Sequence, residues 1–491
     1  MKTNEDFIDI FALTDCHQEA RKLCQLFSGI IRRAPNRGKN TLICDCGDLF
    51  KGIYDRQLCV DSYLTLRQQL PEAKIVIAIG NNDFGFNSEN FKFLQQASDT
   101  FNKANIHVLC ANLQDLNTNT WPKWVDPYIL LEINGKKIMV TAFCVNQIPL
   151  QKYGVRLNDI CESFLQLSDT IKHIAPDALV ILNHALRTSS AEIWKAAKNA
   201  GIRVDLIIGG HEHSPVEPNM EQRTFYPQAF SRDMLHFNMT FGNRTTNLSL
   251  PETIDCKSEA IEPIFDAPLT AFETKVGLNV PVARSTLNLE RSYSDFCPLG
   301  SFVADQMRVV AKANIAMLST GYLTHALRYE KDKILTMYNL ERAFSAETPV
   351  QTVILTPKDL LSIFNNAVRC RYTQKYGNTR FLQCSQNIGL VCLRTASEEG
   401  KIQQIFINGE PLLDDGGKPL HPDDTYLCAI DPFIGLGELG YDVLRAIPKE
   451  TLMKNDRLVR IKDLIKQAII EAENKYPDGS SYPCAKMTDV I

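Results

Sequence analysis

The chain has 491 residues and only 9 histidines, and four of those histidines stand in polar clusters that follow apolar runs. "FALT" leads into Asp15-Cys16-His17, "LICDC" into Gly47-Asp48, and "KIVIAIG" into Asn81-Asn82-Asp83. "ALVIL" leads into Asn183-His184, and "VDLIIGG" into His211-Glu212-His213. Aspartate, asparagine and histidine are metal-ligand types, and α/β sheets gather their ligand sites at the carboxyl ends of strands. A single Asp-x-His or His-x-His is commonly a loop or a satisfied core histidine. Five strand ends that all finish in ligand types point to one composite metal site.

The elements around these clusters follow a βαβα rhythm. "FIDIFALT", "NTLICDC", "KIVIAIG" and "IHVLCAN" read as buried strands. "QEARKLCQLFSGIIRR", "RQLCVDSYLTLRQQL" and "SENFKFLQQASDTFNKA" read as the helices between them. "YILLEINGKKIMVTAF" predicts two strands joined at Asn134-Gly135, a hairpin signal. The pattern weakens over 264–284, which predicts a first domain over 1–263, a connection, and a second domain over 285–491. The second domain opens on the helical "GSFVADQMRVVAKA" and closes on "VRIKDLIKQAIIEAENKY".

Composition excludes several classes. Net charge is −4, which suits neither a nucleic acid duplex nor an anionic membrane as partner. No apolar run is long enough to span a bilayer. The start, "MKTNEDFIDIFAL", shows no leader pattern, and 15 cysteines are scattered without a framework spacing. These features predict a cytoplasmic chain with free, mostly buried thiols. Cys44 and Cys46 alternate along a strand and make a poor metal pair. The basic group Arg32, Arg33, Arg37 and Lys39 reads as a solvated loop.

The clusters at Asp15-x-His17, Gly47-Asp48, Gly80-Asn81, His184 and Gly210-His211-x-His213 resemble the motifs of calcineurin-like metallophosphoesterases. "CDCGDLFKG", "DLIIGGHEHSPV" and "CPLGSFVADQM" resemble the two-domain 5′-nucleotidase family, which includes UDP-sugar hydrolases and 2′,3′-cyclic nucleotide phosphodiesterases. The resemblance covers nearly the whole chain. It implies a four-layer α/β/β/α metallophosphoesterase domain followed by a smaller α/β, 5′-nucleotidase C-terminal-like domain. It implies two divalent cations, drawn from Mn, Zn, Fe or Co. Asp15, His17 and His213 would hold one, Asn81, His184 and His211 the other, and Asp48 would bridge them. A hydroxide between the cations would attack phosphorus in line.

The same resemblance marks departures. The family usually reads Gly-Asn-His-Glu-Phe-Asp where this chain has Gly80-Asn81-Asn82-Asp83-Phe84-Gly85. The catalytic His and its orienting Asp are therefore Asn82 and Gly85. An amide donates a hydrogen bond but no proton at neutral pH, so alkyl leaving groups should suffer most. Restoring the pair with Asn82→His and Gly85→Asp is expected to rescue them. In the second domain the resemblance implies that Phe381 and Phe433 sandwich a base. The family's arginine is Thr324, and its ribose-binding aspartate is Leu439 unless Glu438 substitutes. Three readings stay open. One is a dinuclear phosphoesterase with altered leaving-group preference. Another is a catalytically weak binder of a nucleotide-like ligand. The third is an ordinary 5′-nucleotidase whose proton comes from elsewhere, such as His325. The expected partner is a small phosphoester or nucleotide, and the expected state is a monomer or homodimer.

Overall fold

The computed structural model describes residues 7–490 except 18, 35, 51–55, 86–87, 147–149, 214–215, 243–244, 345–347, 373–380, 395–399 and 438–439. The chain divides into two compact units, 1–272 and 273–491. The segment 264–284 carries a helix, Pro263–Lys275, and a strand, Pro281–Arg284. The helix accommodates Pro268 within its length, which is why its pattern is weak in the sequence.

The first unit holds two sheets. One has seven strands. Its centre is β1 (Phe7–Leu13), β2 (Thr41–Asp45), β3 (Lys74–Ala78) and β4 (Ile106–Leu109), all parallel. The other has five strands. A small ladder of β5 (Leu113–Asp115) and β8 (Val155–Leu157) stands beside them. In the five-stranded sheet β6 (Tyr128–Ile133) and β7 (Lys136–Cys144) form the hairpin. Asn134 and Gly135 both take positive φ, 52° and 70°, as a two-residue hairpin turn requires. β7 then runs parallel to β9 (Ala178–His184), and β9 to β10 (Leu206–Gly210), which also pairs with β11 (Thr224–Phe225). The chain returns to the first sheet through β12 (Asp233–Phe241), antiparallel to β1, with β13 (Thr246–Leu248) and β14 (Glu252–Asp255) paired to it.

The central strands are apolar without alternation because both faces are covered. Ile10, Leu42, Val76, Val140, Val180, Ile208 and Phe237 fill the space between the sheets. The outer face of the seven-stranded sheet meets α1 (Ala20–Arg33), α2 (Arg56–Gln69) and α3 (Ser88–Lys103). α1 buries Leu23, Leu26, Phe27 and Ile30, spaced i, i+3, i+4, i+7, along one stripe. The outer face of the five-stranded sheet meets α4 (Ile160–Gln166), α5 (Ser168–Ile174) and α6 (Arg187–Asn199). The order of layers is α/β/β/α. Arg32 and Arg33 do not stand in a solvated loop. They form the last turn of α1, where Arg33 pairs with Glu259 at 2.8 Å and Arg32 with Glu262 at 2.7 Å.

The second unit is also α/β. Its five-stranded sheet is built on Ile315–Ser319 and the parallel Tyr426–Ile430. Helices Pro298–Ala311 and Ile461–Ala472 pack on one side, and Pro357–Tyr372 on the other. The fourteen described cysteines are all free thiols, and only Cys161 and Cys484 are partly exposed. Among the described residues no helix is long and apolar enough to cross a membrane.

Phe237 of β12 meets Phe225 of β11 edge-to-face, with ring centroids 4.9 Å apart, so one ring pair links the two sheets. Phe237→Ala should therefore cost about 3–5 kcal/mol in chemical denaturation. A loss below about 1 kcal/mol would mean that the sheets do not share this core.

Candidate active site

All five polar clusters lie at carboxyl ends of parallel strands, three in one sheet and two in the other. Register sets them level. Leu13 pairs with Asp45 across β1 and β2, and His184 with Gly210 across β9 and β10. The chain then leaves each strand through an unusual turn. Asp15, His17, Asp48 and His211 adopt φ of 48°, 49°, 57° and 72°. Left-handed backbone at non-glycine residues is costly and concentrates at functional sites. Gly80 is fixed by proximity, since a Cβ there would overlap the Asp48 carboxylate and its amide nitrogen.

The side chains converge. One ligand atom from each of Asp15, His17, Asp48 and His213 lies within 4.8 Å of the others. His17 Nε2 is 2.9 Å from His213 Nε2, and each faces Asp15 Oδ1, at 3.4 and 3.2 Å. Asp48 Oδ2 is 3.3 Å from His184 Nε2 and 3.7 Å from His17 Nε2, so the aspartate stands between two histidine groups. The His184 Nδ1–H donates to the Cys46 carbonyl at 2.8 Å, which turns Nε2 inward. The His211 ring meets His184 edge-to-face at 5.4 Å, and its backbone N–H donates to Asp15 Oδ2 at 2.9 Å.

Burial opposes charge on Asp15 and Asp48, yet the surrounding imidazoles hold both carboxylates well below the usual range. Burial also opposes charge on His184, but Asp48 and Asp15 outweigh it and raise the imidazole to about 10. His211 is pushed down to about 3 by burial and by the neighbouring His184 cation. A cation meeting these donors would displace the proton that Asp48 favours on His184. Among the described residues the buried Asn81 Oδ1 meets no hydrogen-bond partner. An acceptor left in that state costs free energy unless a cation meets it. The residues therefore fit a cation pair. Mixed nitrogen and oxygen donors suit Mn, Zn, Fe or Co.

Three features escaped the sequence reading. Asp83 accepts backbone N–H groups from Asp48 at 2.9 Å, Gly80 at 2.8 Å and Phe50 at 2.7 Å, and so ties the second turn to the third. Burial and the Asp48 charge raise its pKa well above the carboxylate range. Asp45 accepts the Tyr63 hydroxyl at 2.5 Å and the Gly47 N–H at 3.0 Å, which braces the turn that delivers Asp48. Asn82 is turned toward Asp48. Its backbone N–H and Nδ2 donate to the two carboxylate oxygens at 2.7 and 2.5 Å. The run Asn81-Asn82-Asp83 is the sequence signal for the bonds of the third turn, and it does not say which partner each residue finds.

Residues 8–215 match the calcineurin-like phosphoesterase family, and residues 275–446 match the 5′-nucleotidase C-terminal domain. The chain joins a calcineurin-like phosphoesterase domain to a 5′-nucleotidase C-terminal domain. Its relatives are distant. Endonuclease YhcR of Bacillus subtilis is 20% identical over 81% of this chain, which spans only 33% of that protein. The apyrase of Tabanus yao is 21% identical, over 84% of this chain and 80% of the apyrase. Among solved structures, a 5′-nucleotidase precursor from Thermus thermophilus superposes with a TM-score of 0.75 at 16% identity. That match covers 99% of this chain and 100% of that one.

In the 5′-nucleotidase C-terminal domain the two phenylalanines differ. Phe433 is partly exposed at the start of a short helix. Asp431 caps that helix through the Phe433 N–H at 2.8 Å and accepts the Ser319 N–H at 2.6 Å, which joins it to the central strand. Phe381 is 2% exposed and packs at 5.3 Å against Phe296. As placed, its ring is core and offers no free face for stacking. The Thr324 hydroxyl donates to the Arg342 carbonyl, so it joins its turn to the helix Met337–Ala343. His325 Nδ1 meets the same carbonyl at 2.8 Å. Glu438 and Leu439 lie outside the described residues.

In the phosphoesterase domain Gly85 has φ 63°, and a Cβ there would overlap the Asn90 side chain. Gly85→Asp would thus strain the turn that carries Asn81. Asp48→Ala is the decisive single substitution, because Asp48 faces His17 on one side and His184 on the other. Metal analysis after Mn²⁺ loading should find two ions per wild-type chain and fewer than one in Asp48→Ala. Two tightly held ions in the variant would rule out a bridging role.

Proposed function

We propose that this chain is a dinuclear-metal phosphoester hydrolase acting on a nucleotide or a related small phosphoester. The observation that carries the reading is the convergence of Asp15, His17, Asp48 and His213 within 4.8 Å. On this reading Asp15, His17 and His213 hold one cation, Asn81, His184 and His211 the other, and Asp48 both. When bound, such a pair supplies Lewis acidity to a phosphoryl oxygen and makes a water nucleophilic near neutral pH.

The chain's own residues then define the preference. Asp48 is 0% exposed and kept ionised, as a shared ligand needs to be. Asn82 steadies that carboxylate with two donated bonds and releases no proton. The other described histidines of this domain, His107, His173 and His236, sit on β4, α5 and β12 and not on the five turns. Proton delivery to a leaving oxygen is therefore weak in this domain. Substrates with good leaving groups, such as pyrophosphates, nucleotide sugars and aryl esters, are favoured over nucleoside 5′-monophosphates. The same chemistry is compatible with a small-ligand partner and a monomer or homodimer.

The test uses Mn²⁺-loaded protein with AMP, a UDP-sugar, a 2′,3′-cyclic nucleotide and an aryl phosphodiester. The wild type should turn over the aryl and pyrophosphate substrates faster than AMP. Asn82→His should raise the AMP rate selectively, by up to about 10²–10⁴-fold. An equal gain on all substrates, or no gain with both metals bound, would show that position 82 does not govern the leaving group. No turnover of any substrate by the metal-loaded wild type would instead favour a ligand-binding role.

A further inference from the structure

We infer that Phe230 is a positioning residue for the His17/His213 pair, holding both imidazoles so that their Nε2 atoms meet one cation. The inference rests on the dinuclear reading above. Phe230 comes from the segment between β11 and β12, a stretch with no ligand type of its own beside it. Its ring centroid is 5.1 Å from His17 and 5.1 Å from His213, with interplanar angles of 41° and 61°. The two imidazoles are themselves 4.8 Å apart at 79°. The three rings thus close a triangle in which each limits the rotation of the other two. Phe230 is 5% exposed, so the ring is held from behind as well.

The backbone shows how the ring is brought there. Phe230 and Ser231 adopt φ of 66° and 46° in succession. A bulky residue rarely takes the left-handed region, and it keeps that conformation only where its surroundings over-determine it. One such determinant is visible, because the Phe230 N–H donates to the Asp15 carbonyl at 2.6 Å. That bond ties the strained turn to the residue whose carboxylate both histidines face. A side chain that merely filled space would not need two left-handed residues and a bond to a ligand's own backbone. Residues that orient metal ligands typically shift metal affinity about 10–100-fold when changed.

The test is Mn²⁺ titration of the full chain, followed by EPR, with thermal unfolding of the metal-free protein measured in parallel. Phe230→Leu keeps an apolar side chain on the same backbone but removes the planar edge. It should weaken one of the two Mn²⁺ ions about 10–100-fold and leave the other within about twofold. Its metal-free melting temperature should stay near the wild-type value. In a His213→Ala background the Phe230→Leu change should cost less than it does in the wild type, since only His17 is then left for the ring to hold. Phe230→Gly should show the same selective loss, and if it fails to fold the leucine variant decides. Two ions bound with wild-type affinity by Phe230→Leu would overturn the inference. So would equal weakening of both ions, or an additive loss on top of His213→Ala. A wild-type chain that binds no second Mn²⁺ would overturn the dinuclear reading itself and this inference with it.

Discussion

An ionised carboxylate in a protein interior is expensive, and Asp48 is fully buried and ionised. It persists because donors reach it from three strand ends: His17 after β1, Asn82 after β3 and His184 at the end of β9. β9 belongs to the five-stranded sheet and β1 and β3 to the seven-stranded one, so the apolar layer between the sheets fixes the distance across which His184 meets Asp48. A register slip of one residue on β9 would turn His184 to the helix-covered face and leave the carboxylate without its nearest imidazole. Core packing and site electrostatics are one constraint in this domain.

Much of this was readable from residue order. Continuous apolar runs named the central strands because both faces are covered, and the polar residues at their ends marked the turns where donor side chains converge. The long-range bonds were not readable. Arg32 and Arg33 look like loop charges until Glu259 and Glu262 return from more than two hundred positions away. Asp83 looks like one more turn residue, although it clamps two turns together. Phe381 shows the same limit for apolar residues. An aromatic at a strand edge has identical chemistry whether its ring faces solvent or Phe296, and only the surrounding packing decides which.

The second domain invests its polar residues in its own turns. Thr324, His325 and Asp431 all satisfy backbone groups of neighbouring segments, and Phe433 inherits its place from the cap beneath it.

Gly85 also ties its turn to its neighbours. Its left-handed backbone lies against Asn90, whose amide oxygen receives the Arg56 guanidinium at 2.9 Å, while the same guanidinium reaches Glu89 at 2.8 Å. A side chain at position 85 meets Asn90 first, and shifting Asn90 loosens its bond from Arg56. Position 85 is therefore not an independent site: a substitution there acts on three residues at once.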